Sequence, residues 1–158
     1  MVTTRATRAQ LAAWRALYRA DTLLFAHLNH QLRAKLGITY FEREVLAALD
    51  RAGGRLRMAP LADELMISRS GTTRLVAKLE KDSLVARTSS PTDRRATWAE
   101  LTPAGREKLA AAQPVVDAVV STFFADHLDT EELRTIAKAL DRLAAANPAR
   151  LTEFECGL

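Results

Sequence analysis

At 158 residues the chain can bury one compact core, or a small core with a long helical appendage, but is short for two independent domains. Apolar residues make up 48% and charged residues 27%, as in ordinary globular proteins, and the predominance of Ala and Leu over the 6% aromatics favours helix. No uninterrupted apolar run approaches the roughly 18 residues of a membrane span, the start from Met1 to Arg5 leads into polar sequence, and Cys156 is the only cysteine; a cytoplasmic chain is expected, without membrane segment, internal disulfide or cysteine metal cluster.

The first predicted element runs from Arg8 to about Leu36, where Leu11, Trp14, Leu17, Leu24, Leu28, Leu32 and Leu36 recur at steps of three, four or seven and so share one helical face. Gly37 ends it. Thr39 and Glu42 form a capping box ahead of a second helix to about Asp50, closed by Gly53 and Gly54. Leu56 to Met58 is too short for a helix, and Pro60 is suited to the first position of a short third helix ending near Met66. Ser68 caps a fourth helix to about Asp82. Two strand-like runs follow, Leu84–Arg87 and Thr97–Leu101, separated by a polar, Arg-containing stretch of turn formers: a hairpin with a basic tip. Thr102 and Pro103 open a long fifth helix that Pro114 should kink or divide, and Asp129 with Glu132 caps a last helix that Asn147-Pro148 stops.

The net charge of +4 is unevenly distributed. Residues 51–108 hold 12 basic against 7 acidic side chains, whereas the C-terminal third is acidic. A basic middle attracts polyanions, although so modest an excess is more often a solvated face.

A short helix, a tight turn, a second helix with a polar outer face and a basic hairpin together make a winged helix-turn-helix. On a wheel of about 100° per residue, Thr72, Leu75, Val76 and Leu79 gather on one side, while Ser70, Arg74, Ala77 and Lys81 fall opposite, flanked by Thr73 and Lys78. The second helix must bury the first set and present the other to the major groove. Ser70, Thr73 and Arg74 are the candidates for base edges; Ser68, Arg69 and Lys78 are the candidates for phosphate. The plain alternative for each cation is a solvated charge in a helix pair, such as Arg74 with Glu80 or Lys78 with Asp82. Against it stands the run Ser70, Gly71, Thr72 and Thr73, poor helix formers that cost stability without helping the core and that suit close approach to a ligand surface. Arg94 and Arg95 at the hairpin tip suit a narrow minor groove, with Asp93 orienting a neighbouring Arg.

The segments Leu61-Ala-Asp-Glu-Leu65, Ile67-Ser-Arg-Ser-Gly-Thr-Thr-Arg-Leu-Val-Ala-Lys-Leu-Glu-Lys-Asp-Ser-Leu-Val85, Ser90-Pro-Thr-Asp-Arg-Arg95 and Leu101-Thr-Pro-Ala-Gly105 resemble the DNA-binding core of the MarR family. The resemblance is motif-level over residues 56–105 and architectural elsewhere. It implies a mainly α fold with a small β-hairpin wing, a winged helix-turn-helix lobe over 39–105 and a helical dimerisation region over 8–36 and 103–147, all in one unit. It further implies that Ser68 to Lys78 form the recognition helix and that Asp93, Arg94 and Arg95 form the wing tip. The sequence departs from the family at Ser83, where Gly is usual; a left-handed backbone there would cost Ser on the order of 1 kcal/mol.

The expected function is a sequence-specific transcriptional regulator, a repressor by preference, acting as a homodimer on palindromic double-stranded DNA whose half-sites lie about 34 Å apart. Resemblance also suggests release by a small aromatic or anionic effector, with Trp14, Tyr18, His27, His30, Tyr40 and Phe41 as pocket candidates, although aromatic side chains on a helix are more often core. Alternatives are a sequence-nonspecific architectural DNA binder, or a metal or redox sensor. His27 and His30 supply only two ligands, however, and Cys156 has no activating base beside it. No nucleophile with a base, carboxylate pair or phosphate-cradling loop points to an enzyme, and neither a cofactor nor a metal is expected.

Overall fold

The computed structural model describes residues 5–89 and 97–146. Helix α1, Arg8–Leu36, is opened by a capping box: the Gln10 side chain accepts the Thr7 N–H at 2.8 Å while the Thr7 hydroxyl accepts the Gln10 N–H at 3.3 Å. Gly37, at φ 71°, closes α1 in the left-handed conformation, and its N–H bonds the Arg33 carbonyl. Helix α2, Tyr40–Arg51, begins with the expected Thr39/Glu42 box, in which Glu42 accepts the Thr39 N–H at 2.6 Å.

The sequence predicts no element at Arg55–Arg57. This segment is strand β1, three residues held on the edge of a sheet ordered β1-β3-β2. Strands β2, Val85–Ser89, and β3, Thr97–Leu101, pair antiparallel with Val85 opposite Leu101, and β1 pairs antiparallel with β3, with Leu56 opposite Ala99. So short a run carries no periodicity of its own; only β3, more than 40 residues on, makes it a strand. Helix α3, Met58–Leu65, therefore starts two residues earlier than Pro60 predicts. Proline is tolerated there because the amides of a helix's first turn have no intrahelical acceptor.

Helix α4 spans Arg69–Lys81 with Ser68 as its N-cap, and helix α5 spans Pro103–Phe123 with Thr102 as its N-cap. Pro114 does not divide α5. Pro114 and Ala110, whose carbonyl loses its helical donor, both lie on the exposed side of the helix, where water can satisfy the freed group. A single 3₁₀ turn, Ala125–His127, leads to helix α6, Thr130–Ala146, whose first amides are capped by Asp129 at 2.8 Å. The expected stop at Asn147-Pro148 lies outside the described residues.

The core joins Leu32 of α1, Val45, Leu46 and Leu49 of α2, Leu61 of α3, Val76 and Leu79 of α4, Ala99 of β3, and Ala112 and Val115 of α5. Gly105, near the start of α5, is forced by contact: a Cβ there would sit 2.1 Å from the Leu84 carbonyl oxygen and 2.7 Å from a Leu101 methyl. Because α5 passes directly over the loop leading into the wing, the wing and the long helices are packed as neighbours. By length and mean hydropathy alone, Pro103–His127 is apolar enough to cross a bilayer, which a search for uninterrupted runs overlooks. In this fold Ala112, Val115 and Val119 of that segment are buried, and Val119, Val120 and Phe124 line a groove against α1 and α6.

Candidate nucleic-acid interface

Helix α4 is built with two different sides. Thr72, Val76 and Leu79 are fully buried, so Thr72, expected with Ser70, Gly71 and Thr73 to add nothing to the core, belongs to it, its hydroxyl satisfied by donating to the Ser68 carbonyl at 3.2 Å. Arg69, Ser70, Thr73 and Arg74 are exposed. The two sides of the wheel agree with the structure at these positions, whereas Leu75, placed with the core, and Ala77, placed opposite it, are both half-buried. Small residues bring the first turn close around its cap: the Ser68 hydroxyl accepts the Gly71 N–H and lies 3.1 Å from the Ser70 hydroxyl, and a Cβ on Gly71 would press to 3.2 Å of it. Thr73 donates to the Arg69 carbonyl at 2.9 Å, which leaves its oxygen lone pairs outward as acceptors. Among the described residues neither Arg69 nor Arg74 has an acidic partner, so both guanidiniums are available to a polyanion. The suggested pairing of Arg74 with Glu80 is not formed.

Glu80 is instead taken by Arg87 of β2, in an exposed ion pair with its closest approach at 2.5 Å. The Arg87 hydrogen bond outweighs a slight desolvation and holds the Glu80 carboxyl below its ordinary range. This pair ties the wing to α4, and it was not legible in the sequence because the partners lie on different elements. Lys78 keeps the expected contact with Asp82 at 3.5 Å, but its shorter bond, 2.6 Å, goes to Glu42 of α2. Burial pushes the Glu42 carboxyl up; hydrogen bonds from Lys78 and from Thr39 outweigh it and leave the group below the usual glutamate value. On the outer face of the sheet, Arg55 and Arg57 lie over the Trp98 ring at 4.3 and 5.1 Å from its centre, another cross-strand contact invisible in the sequence. Asp93, Arg94 and Arg95 of the hairpin tip lie outside the described residues.

The six effector candidates do not converge on one cleft. Tyr40 and Phe41 meet Phe25, a residue absent from the sequence expectation, with ring centres 5.6 and 5.5 Å away. His27 stacks on Phe123 at 3.9 Å, and His30 is exposed one turn further along α1. Trp14 and Tyr18, 63% and 62% exposed, lie toward the other end of α1, away from Tyr40 and Phe41 because their helix carries them there at about 1.5 Å per residue. Among the described residues no three His, Cys, Asp or Glu side chains gather as a metal site.

A helix capped by a small polar turn, exposed along its leading half and flanked by a three-stranded wing defines a winged helix-turn-helix, a DNA-binding architecture. Comparison with known proteins agrees. The family model described as MarR family matches residues 36–96. The chain is 32% identical over 99 residues to the HTH-type transcriptional regulator MhqR of Bacillus subtilis, covering 63% of this chain and 67% of that protein. Among solved structures it is similar to Sco3205, a MarR family regulator from Streptomyces coelicolor crystallised with DNA, at 31% identity and a TM-score of 0.84, with 90% of each chain covered. It is also similar to AbsC, a MarR family regulator of the same organism, at 32% identity and a TM-score of 0.81, over 91% of this chain and 97% of that one. The chain belongs to the MarR family of DNA-binding transcriptional regulators.

Proposed function

We propose that the chain works in the cytoplasm as a homodimeric repressor that reads a palindromic operator and is released by a small molecule. The observation that carries the reading is the exposed leading half of α4, where Arg69, Ser70, Thr73 and Arg74 stand off a fully buried seam with no acid among the described residues to neutralise the two guanidiniums. Ser70, Thr73 and Arg74 contact base edges, Ser68 and Arg69 contact phosphate, and Arg94 and Arg95, oriented by Asp93, enter the adjacent minor groove. Residues 39–105 form the DNA-binding lobe, and 8–36 with 103–147 form the dimerisation region.

The dimer is supported by what the single chain leaves uncovered. Helix α6 has no buried residue, and its apolar Leu133, Ile136 and Leu140 recur at steps of three and four. Ile136 and Leu140 line, with Leu17, Leu24, Leu28, Val120 and others, an apolar groove of about 750 Å³ between α1, α5 and α6. A second copy supplies matching helices and sets two α4 helices at the spacing of successive major grooves. Occupying DNA over a promoter represses by exclusion. The effector, a small aromatic or anionic molecule, is placed at the Phe25, Tyr40 and Phe41 cluster, where α1 meets the first helix of the lobe.

Selection of bound duplexes from a random pool, followed by affinity for the winner against scrambled DNA over a salt series, tests this. A palindrome with half-sites about one helical turn apart, bound at least ~10³-fold tighter than scrambled DNA, is the expected result. No enriched sequence, with equally steep salt dependence on every duplex, replaces the regulator by a sequence-nonspecific architectural binder.

A further inference from the structure

We propose that Lys78 is a positioning residue, which acts on DNA by fixing recognition helix α4 against α2 through Glu42 and does not neutralise a DNA phosphate. The inference rests on the DNA-binding reading above. Lys78 stands nine residues beyond Arg69, about 13 Å along the helix, on the flank between its groove face and its core face. Its ammonium lies 2.6 Å from one oxygen of Glu42, whose side chain is only 2% exposed, while the other Glu42 oxygen holds the Thr39 N–H. One buried carboxylate therefore caps α2 and anchors α4 together. The next residue, Tyr40, gives its N–H to Asn29 of α1 at 2.9 Å, so three helices are keyed at one joint.

The chemistry of the contact separates Lys78 from the other cations of α4. A carboxylate withdrawn from water needs its counter-charge, and a lysine that left for a phosphate would strand it. Asp82, 3.5 Å from the same ammonium, adds a second negative group. A phosphate arriving at Lys78 would therefore meet an ammonium already engaged by two acids. Arg69 and Arg74 meet no such competition among the described residues.

The test compares the wild-type chain with Lys78→Met, Glu42→Gln and the double variant, each shown folded by its melting curve, on the selected duplex and on scrambled DNA over a salt series. Glu42 is buried and cannot itself reach DNA, and Gln keeps an acceptor for Thr39. As a positioning pair, each single variant weakens the selected duplex roughly tenfold, the scale of one displaced base contact, the double variant is no worse than either, and the salt slope is unchanged. A slope lower by about 0.9 per phosphate lost in Lys78→Met, with Glu42→Gln binding as wild type, overturns the proposal in favour of a phosphate contact. Losses that add in the double variant, or no loss in any variant, overturn it as well. The slope is also read on scrambled DNA, so this arm is decided even if the wild-type chain prefers no sequence, a result that overturns the regulator reading by itself.

Discussion

Ser83 adopts φ 59°, the left-handed backbone that its neighbours demand: its N–H bonds the Glu80 carbonyl, the Leu84 N–H bonds the Leu79 carbonyl, and its own carbonyl accepts the Thr102 hydroxyl at 2.9 Å. Ser83→Gly is expected to raise unfolding stability by about 1 kcal/mol in a urea titration, because the strain of a Cβ in that conformation is removed. Gly105→Ala should do the opposite. The added methyl meets the Leu84 carbonyl, a backbone atom fixed by the Thr102 N–H, so a loss of roughly 1–3 kcal/mol or more is expected by the same titration. Arg74→Ala should leave stability within about 0.5 kcal/mol and reduce discrimination at one half-site position by ~1–3 kcal/mol, measured by competition among single-base variants of the selected duplex. The Ser83 strain was legible from the sequence through its departure from the family pattern, and the two faces of α4 through periodicity. The close approach at Gly105 was not, since it depends on α5 crossing a loop some twenty residues earlier in the chain.

Between elements, the dominant contacts are those that no local pattern announces. Capping boxes at Thr39 and Asp129 were readable because both partners lie within four residues. Arg87 with Glu80, Lys78 with Glu42 and β1 with β3 were not, because each joins segments that become neighbours only after the core of Val45, Leu61, Val76 and Ala99 has closed. The Glu42 contact has a pH signature. Its folded carboxyl is held below the ordinary 4.5, so its contribution is complete above that value and is lost as pH falls through the folded one. Lys78 is raised above its ordinary 10.5, chiefly by the Glu42 hydrogen bond; its contribution is complete below 10.5 and fades as pH rises through the folded value. Denaturation midpoints taken between about pH 5.5 and 3.5 should therefore fall less in Glu42→Gln than in the wild-type chain. Equal slopes would assign the acid sensitivity to other carboxylates.

For the molecule as a whole, the division between what one chain buries and what it leaves open decides the assembly. Leu140, 40% exposed on α6, lines the groove between the long helices. Leu140→Glu is expected to weaken self-association by roughly 10²-fold or more, seen as a shift from dimer to monomer in sedimentation at micromolar concentration. An unchanged sedimentation coefficient would place the interface elsewhere. That α6 buries no residue within its own chain has a thermodynamic consequence. An isolated helix of this length is marginal in water, so a helix that owes its apolar cover to another copy has mass action in its folding equilibrium. Each tenfold dilution then removes up to about 1.4 kcal/mol of association free energy per dimer. In the proposed dimer, the chain's own abundance would act as a ligand: at low copy number the C-terminal helices would loosen first, and an operator that holds two chains side by side would restore the order that dilution took away.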